Sequence, residues 1–178
     1  EKSRDFFIFS YLCNGINMKD LCLLKNGDIQ GEFIRYTRAK TQHTHRTSNT
    51  KISIYITPEC QAIIDRWRNI DRRPEAYLFP ILTPGMNAAE QMLRFKQFTQ
   101  NVNKNIRKIA TLLGIDKHVT TYFARHSFAT VLRRSGASTE MISESLGHSN
   151  LKTTASYLDS FEDEKRKEMV LALTRFKD

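Results

Sequence analysis

The chain is short of cysteine, glycine and acidic residues and has no long apolar run, and each shortage removes a class of protein. Three cysteines, Cys13, Cys22 and Cys60, stand far apart among 178 residues. An odd, widely spaced set is neither a disulfide framework nor a zinc ribbon, and it fits a reducing cytosol. Seven scattered glycines build no phosphate-cradling loop, no dinucleotide fingerprint and no Gly-x-Ser-x-Gly elbow. No run approaches a membrane span, so no membrane partner is expected. The opening EKSRDFFIFSYL lacks a small-residue cleavage site and is no signal peptide. It begins inside a helical pattern, which reads as a piece of a longer protein. Five histidines are present. His43-x-His45 has no acid or cysteine beside it, and His118, His126 and His148 lack ligand spacing, so neither a metal nor any other cofactor is expected.

Acidic charge is scarce in a particular place. The chain carries 28 Lys and Arg against 19 Asp and Glu, a net +9. Between Glu32 and Glu59 no acidic residue occurs, while Arg35, Arg38, Lys40, Arg46 and Lys51 do. A one-signed segment repels itself unless a polyanion lies against it, and a nucleic-acid backbone would serve. A solvated basic loop is the plainer alternative.

What is present is enough apolar residue for a core, 40% of the chain, arranged with helical and then β periodicity. Residues 5–14 and 17–24 read as two helices separated by Asn14-Gly15. Residues 33–41 and 52–57 read as a hairpin of two strands, since Ile52, Ile54 and Ile56 alternate with polar residues. Thr57-Pro58 starts a helix to about residue 69. Helices are then predicted over 88–113, 121–135, 139–146 and 151–158, with Gly114, Gly136 and Gly147 as stops, and a charged amphipathic tail over 162–175. On the 121–135 helix, Ala124, Phe128, Val131 and Leu132 are predicted inward. The expected architecture is mainly α with a small antiparallel β-sheet flank.

The remaining chemistry lies in TYFARHSFATVLRRSG (121–136) and LGHSNLKTTASYL (146–158). Arg125, Ala129 and Leu132 share a stripe, so Arg125 sits at the edge of an apolar face and needs an anionic partner. That partner is either an internal carboxylate, Glu140 or Glu144, or a DNA phosphate, which the planar guanidinium fork suits.

These two segments resemble the catalytic box of the tyrosine recombinases, or phage-type integrases. That family carries a pattern close to His-x-x-Arg-His, then Leu-Gly-His, then a tyrosine nine residues on. Here Arg125-His126, Leu146-Gly147-His148 and Tyr157 stand in that order and spacing. Residues 38–41, Arg-Ala-Lys-Thr, resemble the family's β-hairpin lysine segment, and GINMKDLCLL (15–24) resembles the segment of its first arginine. The resemblance covers nearly all of residues 1–178, which read as a catalytic domain without the family's N-terminal DNA-clamping domain. The tail from about 159 to 178 is of the kind that family members exchange between protomers.

The resemblance implies a DNA breaking-rejoining fold and a site-specific recombinase or integrase. Tyr157 would attack the scissile phosphorus and form a 3′-phosphotyrosine. Arg125 would bind the non-bridging oxygens, His148 would donate to the phosphate, and Lys40 would protonate the departing 5′ oxygen. His126 would buttress the site and, with Arg35, Arg46 and Lys51, lie against DNA phosphates. No metal and no ATP are implied. The partners implied are double-stranded attachment sites, further copies making a homotetramer on DNA from free monomers, and accessory DNA-bending proteins, in a bacterial cytoplasm. Two slots depart from the pattern. Asn17 stands where the first arginine belongs, as in some integrases of Bacteroides-type mobile elements, and Arg38, two residues from Lys40 on the same strand face, is the local candidate for replacing it, with Arg35 also near. Tyr122 stands where histidine or lysine is usual and can still donate to phosphate. The alternatives are a catalytically impaired DNA-binding protein of the same fold and a nicking-closing enzyme like a type IB topoisomerase.

Overall fold

A computed structural model of the chain describes residues 1–39, 51–148 and 154. Helix α1 (Lys2–Leu12) ends where Asn14 and Gly15 both take left-handed conformations, with φ of 53° and 61°. Helix α2 (Met18–Leu23) follows at once, capped by the Asn17 side chain, which accepts from the Asp20 N–H. The sheet is antiparallel, in the order β1 (Ile29–Gln30), β2 (Phe33–Thr37), β3 (Lys51–Tyr55). Pairing of Ile34 with Ile54 and Tyr36 with Ile52 gives an inward apolar face. Phe33, Arg35, Lys51, Ser53 and Tyr55 take the other face.

The expected hairpin is therefore part of a three-stranded sheet, and its described ladder stops at Thr37 opposite Lys51. A two-residue β1 is too short for periodicity to reveal. Thr57 caps α3 (Pro58–Trp67) with proline in the first turn. Helices α4 (Ala88–Leu112), α5 (Thr121–Arg134) and α6 (Thr139–Ser145) complete the described order. Val131 is a correction: it is 47% exposed. The buried stripe of α5 runs through Ala129, with Phe128 and Leu132 partly buried around Ile142 and Leu146. Of the helix expected over 151–158, Thr154 alone is described, and it is helical. The tail lies outside the described residues.

Helix α1 is the hub and packs against α3, α4 and α5. Phe6 meets Phe79 and Phe98 edge-to-face at 4.9 and 5.2 Å, and Phe9 meets Phe79 at 5.2 Å, the favoured aromatic geometry. Buried Asp5 fastens α1 to α3 by accepting from Arg66 at 2.6 Å and from Trp67 Nε1 at 2.9 Å. Cys13 and Cys60, far apart in sequence, bring their buried thiols to 3.3 Å across the same junction. This packing sets the α1–α2 turn, the exit of β2, the middle of α5 and the end of α6 around one point.

Candidate active site

Arg125 lies at that point, 7% exposed. Its Nη1 donates to the Gly15 carbonyl at 2.8 Å, and its Nη2 donates to the Leu146 carbonyl at 2.6 Å. Nη2 also lies 2.9 Å from His148 Nε2. The close approach depends on Gly15, where an added Cβ would stand 2.8 Å from the Arg125 Cα and 2.9 Å from its Cγ. Among the described residues neither Glu140 nor Glu144 bridges to Arg125.

The Leu146 carbonyl is presented by the way α6 stops. Gly147, at φ 62°, donates to the Glu144 carbonyl at 2.8 Å, and the His148 N–H donates to Ser143 at 2.9 Å. This paired closure is the usual glycine stop of a helix. It turns the Leu146 and Gly147 carbonyls away from α6 and sets the His148 ring beside Arg125. Gly147 also permits close packing, since a Cβ there would come within 2.6 Å of Ile52 Cδ1 and 2.7 Å of Arg38 Cδ. His148 Nδ1 lies 2.9 Å from the hydroxyl of Thr154, which is fully buried.

Arg38 converges on the same carbonyls. Its Nη1 donates to Gly147 O at 2.9 Å and to Leu146 O at 3.3 Å. It lies one residue beyond β2 rather than within it, yet keeps the inward alternation of Ile34 and Tyr36. What holds it is Asp20, 3% exposed, whose carboxylate is 3.6 Å from Arg38 Nε. Asp20 also accepts from Asn17 Nδ2 at 2.6 Å and from the Ala39 N–H at 3.0 Å. Arg35 is elsewhere: on the outer sheet face it donates to Gln30 and stacks 5.1 Å from the Phe33 ring. Lys51 shares that outer face.

Asn17, Tyr122 and Arg125 open on a cleft of about 220 Å³ that Lys19, Thr99 and Thr121 also line. Tyr122 is half exposed, and its ring meets His126 edge-on at 4.4 Å one turn further along α5. The geometry thus joins Arg125, His148, Arg38, Tyr122 and His126 and separates Arg35 and Lys51 from them. Lys40, Arg46 and Tyr157 lie outside the described residues.

Sequence reasoning missed Asp20, Thr154 and Tyr36. Asp20 reads as an ordinary first-turn acid of a capped helix, and Thr154 as one small polar residue in a run of them. Tyr36 is buried on the inward sheet face. Burial and the Asp20 carboxylate push its phenol well above the ordinary range, against the pull of Arg38 and Arg125.

Residues 6–164 match the phage integrase family. The chain is 28% identical over 174 residues to a tyrosine recombinase of Pseudothermotoga lettingae, covering 93% of this chain and 52% of that protein. It is similar in structure to the XerA recombinase, with a TM-score of 0.61 and 22% identity over 99% of this chain and 58% of the other. It is likewise similar to the Tn1549 transposon integrase in complex with circular intermediate DNA, with a TM-score of 0.60 and 18% identity over 95% and 59% of the two chains. The chain spans about half the length of the curated relatives it matches. The mostly helical body with its three-stranded flank is the catalytic-domain fold of tyrosine recombinases. The family match contains the α1–α2 turn, Arg38 and the Arg125–Leu146–His148 cluster, and it extends over most of the sequence: this chain belongs to the phage integrase family.

Proposed function

We propose that the chain is the catalytic portion of a site-specific DNA recombinase or integrase that cleaves and rejoins DNA through a 3′-phosphotyrosine on Tyr157. The observation that carries the reading is the convergence of Arg125, Arg38 and His148 on the carbonyl-lined end of α6. Breaking a phosphodiester with side chains alone needs a nucleophile, a place for the charge that builds on the non-bridging oxygens, and an acid for the leaving oxygen. A free tyrosine has a pKa of about 10, so Tyr157 needs cationic neighbours. Arg125 takes the phosphate oxygens, and its fork is already oriented by backbone carbonyls, so little reorganisation is left for the reaction step. His148 and Tyr122 donate to the same oxygens, and Lys40 protonates the 5′ oxygen. Arg38, which shares the Leu146 carbonyl with Arg125, supplies the charge absent at Asn17. The phosphotyrosine conserves the bond energy, so rejoining proceeds without ATP, and the cationic side chains take the charge-stabilising role a metal would otherwise fill.

The substrate is a double-stranded attachment site, bound by free monomers that assemble as a homotetramer, with accessory DNA-bending proteins, in a bacterial cytoplasm. The DNA complex of the Tn1549 integrase supports the choice of partner. Arg35, Arg46, Lys51 and His126 add backbone contacts, which position a protein without reading bases. A second reading, a catalytically impaired DNA-binding protein, is favoured by Asn17, whose amide is engaged by Asp20 and brings no charge.

A nicked suicide substrate of the attachment site, incubated with the full-length protein, separates the two. A covalent adduct is expected with wild type and none with Tyr157→Phe. Arg125→Ala is expected to slow adduct formation on the order of a thousandfold, the scale of removing one oxyanion donor, while retaining most DNA affinity. No adduct from wild type, or one that survives Tyr157→Phe, removes the nucleophile claim.

A further inference from the structure

Between Arg125 and Thr154 the His148 ring is held at both nitrogens, 2.9 Å on each side. An arginine has N–H groups and no lone pair to offer. Nε2, facing Arg125, therefore carries a lone pair and accepts. A neutral imidazole keeps one ring proton, so that proton is on Nδ1 and is donated to the Thr154 hydroxyl. This is the opposite of what the proposed reaction asks. A phosphate oxygen has lone pairs only, and His148 can serve it only with a proton on Nε2.

A hydroxyl resolves the conflict where a carbonyl would not. A carbonyl at Nδ1 fixes the proton there, and an Nε2–H would then require the charged imidazolium. The hydroxyl of Thr154 both accepts and donates, by rotation about its Cβ–Oγ bond. It is fully buried beside the ring.

We propose that Thr154 is a positioning residue that lets His148 hold either neutral tautomer, the one in the DNA-free protein being selected by Arg125. In the DNA-free protein it accepts from Nδ1–H and leaves the Nε2 lone pair on Arg125. When the scissile phosphate takes over the Arg125 N–H, the ring loses the Nδ1 proton and gains one at Nε2, through exchange with water and with no net change in proton count. Thr154 reverses and donates to Nδ1, and Nε2–H faces the phosphate. The bound half of this cycle rests on the phosphate role proposed above for Arg125 and His148; the free half stands on the hydrogen bonds alone.

The full-length protein with ¹⁵N-labelled histidine tests the free half, with no DNA present and at a pH where His148 is neutral. Long-range ¹⁵N–¹H correlations are expected to show His148 protonated at Nδ1 in the wild type and still so in Thr154→Val, because Arg125 alone requires the Nε2 lone pair, and to show Nε2–H appearing in Arg125→Ala, where Thr154 can donate to Nδ1. An Nε2–H tautomer in the free wild type overturns the proposal. The bound half is read in the suicide-substrate assay. Thr154→Val, which keeps the shape, is expected to slow adduct formation about tenfold at saturating DNA, the worth of one hydrogen bond in the transition state. Thr154→Ser is expected to restore the rate, and Thr154→Val to add nothing in a His148→Ala background. Wild-type speed in Thr154→Val, or equal slowness in the serine and valine variants, overturns it. A wild type that forms no adduct but shows Nδ1–H defeats the proposed function while leaving the free-state assignment intact.

Discussion

Among the described residues Arg125 is oriented by two carbonyl dipoles and an imidazole. The position depends on Gly15 in two ways, through its left-handed φ of 61° and through its lack of a Cβ. Gly15→Ala should cost about 1–2 kcal/mol for the conformation alone, with a further penalty of about 1–3 kcal/mol for overpacking against the Arg125 backbone. Urea unfolding measures the sum. The adduct assay should show a larger loss in cleavage rate than in DNA affinity, because the displaced group is the one proposed to meet the phosphate. A variant that unfolds earlier but cleaves at the wild-type rate would show that the cradle does not set Arg125. Arg125 and His148 were legible because their spacing matches a motif. Asp20 was not, since an acid three residues after Asn17 has a sufficient reason to exist as a helix cap, and its hold on Arg38 and Ala39 comes from chain folded in from residues 38–39.

The elements were legible where their ends carry local chemistry. Thr57-Pro58 starts α3, the Asn87 and Glu90 side chains close the capping box of α4, and glycines at positive φ stop α4, α5 and α6. What a single element does not record is how it is fastened to another, and the α1–α3 junction shows this. Asp5 looks like a first-turn acid, yet it is 2% exposed and receives Arg4, Arg66 and Trp67. Burial by itself would raise its pKa, but the hydrogen bonds from Trp67, Arg4 and Arg66 outweigh burial and bring it below the ordinary 3.8. A carboxyl with a lowered folded-state pKa adds stability above its unfolded value, and that stability is lost as pH falls through the folded value. Thermal unfolding should therefore show a Tm that declines below about pH 4. Asp5→Asn should flatten that decline and cost about 2 kcal/mol at neutral pH, the scale of hydrogen bonds to a charged group. The flattening should be partial, because Asp71, lowered to about 2 by hydrogen bonds from Arg73, contributes to the same acid limb. An unchanged acid limb in Asp5→Asn would show that the junction is not held by the carboxylate charge.

Across the whole molecule, a net +9 does not say which cations would bind the proposed DNA and which would act on it. The acid-free stretch from residue 33 to 58 looks uniform in sequence, and the sheet divides it. Alternation sends Arg35 and Lys51 to the outer face, beside the Phe33–Tyr55 ring pair, and sends Arg38 to the inner side against Gly147 and Asp20. The sequence could name both arginines as candidates to replace the charge missing at Asn17. It could not choose between them, because the choice depends on α6 packing against β3. The division predicts two kinds of defect. An outer-face cation that neutralises a phosphate releases a counterion, so Arg35→Ala should weaken binding similarly for every DNA sequence. It should also lower the slope of log K against log salt by about one, since one fewer phosphate is neutralised. Arg38→Ala should leave the salt slope closer to wild type and slow adduct formation at saturating DNA, because its guanidinium lies with Arg125 rather than along the duplex. Salt-dependent binding isotherms and single-turnover cleavage of both variants measure the two quantities separately. If Arg35→Ala slows the saturated rate as much as Arg38→Ala does, the sheet does not partition the cations in this way. The charge proposed to stand in for an arginine at Asn17 would then have to come from another part of the chain, with Lys19, which lines the Tyr122 cleft, the next candidate.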